Sequence, residues 1–181
     1  MLDNTRSEKA AESARKKRII GIDPGSRITG YGIIDSNGQN LQLVEAGCIR
    51  LPDKPFPVRL KFLFEEISEI CRHHHPDSAA VEEVFHARNA RSALLLGQTR
   101  GVILLSLMVS NCSVFEYSAL QVKSAVTGYG RAEKGQVKRM VEMLIKADFG
   151  KSSFDLTDAL AVAITHAQVS QFNSKVLEAQ S

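Results

Sequence analysis

The chain has 181 residues, of which 44% are hydrophobic, and a formal net charge of +3. That length and apolar content fit one folded domain with a substantial core, and exclude a fibrous or wholly disordered chain. The small positive excess permits nucleic-acid binding without requiring it, and the three scattered cysteines, Cys48, Cys71 and Cys112, exclude a disulfide framework or a thiolate zinc site.

Residues 1–17, MLDNTRSEKAAESARKK, hold no large apolar residue after Leu2 and no signal-peptide core. They are expected to form a disordered polar arm, basic from Arg15 to Arg18. RIIGID, GYGIID and LQLVEAGCIRL then read as three strands of an antiparallel meander, with Gly25 and Asn37-Gly38 at the turns. A helix from Pro57 to His74 gathers Leu60, Leu63, Phe64, Ile67 and Ile70 on one face. SAAVEEVF is a fourth strand, and a long helix runs from Asn89 to Ser110. Its apolar run GVILLSLMV is too short to span a bilayer. SVFEY is a fifth strand, followed by helices over 118–126, 133–147 and 155–170, with a frayed tail over 172–181. The order β-β-β-α-β-α-β-α predicts an α/β domain over 18–171, built on a mixed five-stranded sheet. Reduced thiols and the polar N-terminus together suit a cytoplasmic location.

Asp23 ends an apolar strand just before Pro24-Gly25, where a carboxylate needs a partner. Either the acid holds a metal ion or the glycine turn cradles a phosphate. Glu82 lies inside the apolar fourth strand and faces opposite to Glu83, because side chains alternate along a strand. Asp155 and Asp158 share a face at the start of FDLTDALAVAIT. Each acid also has a structural reading: Asp23 as the opener of an Asx-Pro turn, Glu82 as a half-exposed strand end, Asp155 in a capping box with Ser152. Taken together, three separate elements bring carboxylates to one region. Such a cluster repels itself unless a hard cation joins it, and oxygen-only ligands favour magnesium or manganese over zinc.

These stretches resemble the RuvC family of Holliday-junction resolvases. The likeness runs from Arg18 to Gln171 through GIDPGSRITGYGII, AVEEVFHARNARSALLLGQTRGV, FEYSALQVKSAVTGYGRAEKGQV and DLTDALAVAITH. It implies an RNase H-like fold and a homodimeric, magnesium-dependent endonuclease that cuts four-way DNA junctions with symmetric nicks, served by a branch-migration motor complex. The family's acidic tetrad falls on Asp23, Glu82, Asp155 and Asp158, and its active-site lysines fall on Lys123 and Lys134. On that reading Asp23 bridges two magnesium ions, which manganese can replace. The other acids complete the shells, and the lysines meet the scissile phosphate.

Phe85, three positions after Glu82, would stack on an unpaired base or else pack in the core. Arg88, Arg91 and Arg100, with Arg131 in GYGRAEKGQVKR, offer a basic surface for backbone phosphates. The long helix carries more apolar surface than one face needs, which suits a dimer contact as well as a core position. CRHHHP reads as the basic end of a helix rather than a metal cluster, since adjacent histidines point to different sides. An actin-like phosphate-loop enzyme would need a second such domain. The alternative that stays open is a related RNase H-like nuclease acting on RNA or on other branched DNA.

Overall fold

The computed structural model describes residues 16–38, 40–83, 89–150 and 154–180. Its strands are β1 (Lys17–Asp23), β2 (Ile28–Ser36), β3 (Leu41–Arg50), β4 (Ser78–Glu83) and β5 (Ser113–Ser118). The helices are α1 (Phe56–His74), α2 (Ala90–Val109), α3 (Ala119–Thr127), α4 (Lys134–Ile145) and α5 (Phe154–Gln180). The five-stranded sheet has the order β3-β2-β1-β4-β5. The pairs β1–β2 and β2–β3 are antiparallel, whereas β1–β4 and β4–β5 are parallel. The expected mixed sheet is thus present, with β1 at its centre.

Helices cover both faces of the sheet, which is why β1 is an apolar run rather than an alternating one. Ile20, Ile22, Ile33 and Val81 face α1 and α2, where Leu63, Ile67, Ile103 and Leu107 are fully buried. Ile19, Ile34 and Ala80 face the other way, onto Val137 and Val141 of α4 and the run Leu160–Ile164 of α5. Alternation along each strand assigns these two faces.

α5 lies unusually close to the sheet. A Cβ at Gly21 of β1 would meet the Ala159 carbonyl at 2.2 Å and the Ala163 nitrogen at 2.6 Å. A Cβ at Gly30 of β2 would meet the Asp155 carbonyl at 2.0 Å. No side chain larger than hydrogen fits either place.

A second tie is polar. His166 of α5 is only 5% exposed. Its Nδ1 lies 2.8 Å from the Tyr117 hydroxyl of β5, and its Nε2 lies 3.1 Å from the Ser78 hydroxyl of β4. The Phe115 ring packs on it at 4.3 Å. Burial, with Lys17 adding repulsion, lowers its pKa from 6.5 to about 4, so the ring is neutral in the fold.

Several expectations shift. α5 continues to Gln180, not 170, because nothing after Gln171 breaks a helix: the stretch lacks Gly and Pro, although Phe172 and Leu177 are exposed. β1 starts at Lys17, inside the expected arm; residues 1–15 lie outside the described residues. Arg18, the last of the arm's basic residues, forks onto Asp35 (2.8 and 3.1 Å) and donates to the His74 carbonyl (2.9 Å). The guanidinium holds the Asp35 carboxyl below its usual range. Taken whole, α2 is long and apolar enough, by length and composition, to cross a membrane, which its nine-residue apolar run understated. In the fold it packs on α1 and β5, with Thr99, Ile103, Ser106 and Leu107 buried.

Two outcomes are expected. Gly21→Ala should lower the unfolding free energy by about 3 kcal/mol, because the obstacle is backbone. A urea midpoint equal to wild type would show that α5 moves off the sheet freely. The unfolded chain protonates His166 near pH 6.5 and the folded chain only near 4. The contribution of the neutral ring is therefore full above 6.5 and lost as pH falls towards 4, by roughly 3 kcal/mol in total. Subtracting the stability–pH curve of His166→Gln from that of wild type should isolate this slope; a flat difference would contradict it.

Candidate active site

β1 and β4 run parallel, with Ile22 paired to Val81. Asp23 and Glu82 are the next residues on these neighbouring strands, so their side chains share a face at the strands' C-terminal ends. Asp23 is also paired with Gly30, the residue on which the Asp155 backbone rests. The first turn of α5 is thereby laid beside Asp23. From that helix Asp158 points to the same region, where the Lys134 Nζ at the start of α4 meets its carboxylate at 2.7 Å.

The electrostatics join these groups into one site. Burial pushes the Asp23 carboxyl well above its usual range, and repulsion from Glu82, Asp158 and Asp155 adds to it, while Lys134 pulls the other way. Burial and then Asp158 raise Glu82 as well; Lys134 and Lys123 oppose the shift. The hydrogen bond to Asp158 raises Lys134. Two carboxyls held above their ordinary values by their neighbours mark a site short of positive charge.

No three His, Cys, Asp or Glu side chains among the described residues converge tightly enough to cage an ion alone. The donor set still suits a hard divalent cation, since it is all oxygen, partly buried and self-repelling. Magnesium commonly takes few protein carboxylates and completes its octahedron with water and substrate phosphate. Asp23, Glu82, Asp155 and Asp158 are the residues that would hold it.

Of the remaining expected residues, Lys123 and Lys134 stand at the acids through their charges. Phe85, Arg88 and Ser152 lie outside the described residues. Arg91 is exposed near the start of α2, and Arg131 is exposed on the turn before α4. Arg100 is ion-paired with Glu116 of β5, tying α2 to the sheet. In the triple-histidine stretch, His74 pairs with Glu45 at 3.0 Å, and His75 ends α1 in a left-handed conformation.

Sequence reasoning missed two supports of the site. Arg59 of α1 donates to the Ser26 carbonyl and stacks over Phe56 at 5.5 Å, anchoring the turn that follows Asp23. The Lys134–Asp158 pair joins residues 24 apart, a distance no local pattern reports. The small residues of GIDPG, GYG and ALAVA, read together, could have revealed the close approach of α5.

A family model described as crossover junction endodeoxyribonuclease RuvC matches residues 19–166. A RuvC crossover junction endodeoxyribonuclease from Shewanella baltica is 49% identical over 153 residues, 84% of this chain and 88% of the relative. The corresponding protein from Edwardsiella ictaluri is 50% identical with the same coverage. Among solved structures, T. thermophilus RuvC in complex with Holliday junction substrate matches with a TM-score of 0.82 at 29% identity, covering 87% of this chain and 97% of that one. The yeast mitochondrial Holliday junction resolvase shares the fold at 11% identity, with a TM-score of 0.68 over 97% of this chain and 89% of that one. The sheet order, the helices on both its faces and the length of the sequence match lead to one assignment: this chain belongs to the RuvC family of crossover junction endodeoxyribonucleases.

Proposed function

We propose that this chain resolves four-way DNA junctions in recombination and repair by hydrolysing one phosphodiester bond in each of two strands. The observation that carries this reading is the meeting of Asp23, Glu82 and Asp158 at the C-terminal ends of β1 and β4, within a fold that matches a junction-bound relative. Nucleases of this family use a divalent metal. Magnesium, two ions per site with manganese able to substitute, would supply the activated water and the charge stabilisation at the departing 3′ oxygen.

The chain's own groups do the rest. Asp23, at the end of the central strand and repelled by Glu82, Asp158 and Asp155, fixes the centre of the site. Glu82 and the Asp155–Asp158 pair bracket it from a neighbouring strand and from α5. The Lys134 ammonium, coupled to both Asp158 and Asp23, lies where charge builds on the phosphoryl oxygens and stabilises it. Lys123 adds a second positive charge from α3. Arg91 and Arg131, both exposed, would hold backbone phosphates and set register without reading sequence.

A junction presents two equivalent strands, so two sites related by a two-fold axis suit it. The proposed dimer surface is the outer face of α2. Leu94, Leu105 and Met108 are 54–66% exposed there, and nothing approaches Gly97 or Gly101 within 4 Å. These residues recur at helical spacing on one stripe, which lets a second helix come close. The dimer works in the cytoplasm, where a branch-migration motor complex delivers its substrate.

Asp23→Asn should bind four-way junctions as wild type does but cut them at least about 100-fold more slowly, because metal stabilisation of such a transition state is worth several kcal/mol. It should also melt at a higher temperature than metal-free wild type, since one buried, repelled charge is gone. Chelator should abolish wild-type cutting. Retained cutting in the mutant, or cutting of linear duplex or RNA hybrid in preference to the junction, would overturn the assignment. Replacing both Leu105 and Met108 by Glu should yield folded monomer in sedimentation velocity with impaired paired nicking; a dimer that persists would place the interface elsewhere.

A further inference from the structure

Between the two helices that bring Lys123 and Lys134 to the acids lies the turn Gly128–Glu133. α3 ends at Gly128, whose φ of 75° is left-handed and whose amide donates to the Ser124 carbonyl at 2.9 Å. The Thr127 hydroxyl accepts from the Tyr129 amide at 3.2 Å and donates to the Lys123 carbonyl at 2.8 Å. The Ala132 amide closes the turn on the Tyr129 carbonyl at 3.1 Å, and Ala132 itself is buried. Gly130 lies flat on α3, where a Cβ would meet Leu120 at 2.5 Å. The backbone of this turn is therefore held from both sides.

On this fixed backbone the Tyr129 side chain is 60% exposed, and Leu120, on which Gly130 lies, is 62% exposed. The Tyr129 hydroxyl has no hydrogen-bond partner among the described residues. A held turn that leaves an aromatic ring in water serves neither the core nor a polar network. Its surroundings name the partner. Arg131, exposed, is two residues on, and the charges of Lys123 and Lys134 flank the acids at either end of the turn. Cations for phosphate around an exposed ring are the make-up of a single-strand stacking platform.

We propose that Tyr129 is a substrate-contacting residue whose ring stacks on an unpaired nucleobase beside the cleaved phosphate. This rests on the resolvase reading above and adds a contact to the base, not the backbone. Stacking needs the ring face and not the hydroxyl. Phenylalanine should therefore replace it, while leucine, apolar but without a π face, should not.

The test compares wild type, Tyr129→Phe, Tyr129→Leu and Tyr129→Ala by single-turnover cleavage of a four-way junction, and repeats it on junctions with one abasic nucleotide at each crossover position. Melting temperatures should stay within a degree or so of wild type, since the side chain is exposed. Cleavage by the Phe variant is expected within about twofold of wild type. The Ala and Leu variants should fall about tenfold to a hundredfold, the range of one lost base stack. At one abasic position wild type should fall to the Ala level and Ala should lose nothing more. Unchanged cleavage by Ala, wild-type activity in Leu, or additive losses at every abasic position would each overturn the proposal. Wild type that leaves the intact junction uncut would instead overturn the resolvase reading itself.

Discussion

The close approach of α5 to the centre of the sheet fixes the geometry on which the active site depends. Helices normally stand about 10 Å from a sheet on a cushion of side chains. Here the cushion is missing at Gly21 and Gly30, where the helix backbone comes within about 2 Å of an ideal Cβ position. Small residues on the helix, Ala159, Ala161 and Ala163, complete the fit. Asp155 is carried on the first turn of this helix and Asp158 on the next. Their position relative to Asp23 is therefore set by main-chain contact, which has no rotamers to relax. A catalytic constellation of the kind proposed would need that stiffness, because small misplacements of reacting groups cost orders of magnitude in rate.

The same rigidity holds like charges together. Asp23 and Glu82 are half-buried and repelled; Lys134 offsets both, and Lys123 helps at Glu82. The repulsion costs stability, which a neutral replacement of one acid would recover. The Lys134–Asp158 pair limits the loss by keeping a cation among the acids. Away from the site the fold is tied by groups without this conflict. Arg18 meets Asp35 with opposite charges, and His166 sits neutral among Tyr117, Ser78 and the Phe115 ring. The balance of the molecule thus separates a stressed end of the sheet, at the C-termini of β1 and β4, from a satisfied one.

How much of this could be read in advance follows from the range of each interaction. The strands were legible as short apolar runs, and the meander because Gly25 and Asn37-Gly38 punctuate it; the central place of β1 comes from its pairing with both β2 and β4. The acids were legible because a carboxylate inside AAVEEVF or at the end of RIIGID conflicts with its neighbours. The lysines were not: nothing local separates Lys134 from any surface lysine, and only the family resemblance singled it out. Arg100 looked like a phosphate contact, yet it pairs with Glu116, a partner on another element that sequence spacing cannot reveal. The end of α5 was misplaced because polar composition was read as fraying, although no residue there opposes a helix.

The acids also leave one question of function open to argument. On the proposed function they would act on a phosphodiester, which every nucleic acid shares, so they could not by themselves select a four-way junction. Phosphate contacts from Arg91 or Arg131 carry no more information. Selectivity has to arise where the junction differs from a duplex: in the separation and two-fold relation of its strands, and in the bases that come unpaired at the crossover. The proposed dimer face of α2 would address the first, since pairing two copies there would fix the distance between two otherwise identical centres. The proposed contact from Tyr129 would address the second, since a ring on the turn between the helices of Lys123 and Lys134 would offer its face to a base that has left the stack. On this view the site supplies the chemistry, and the two exposed apolar features that the fold does not use for its own stability supply the choice of substrate.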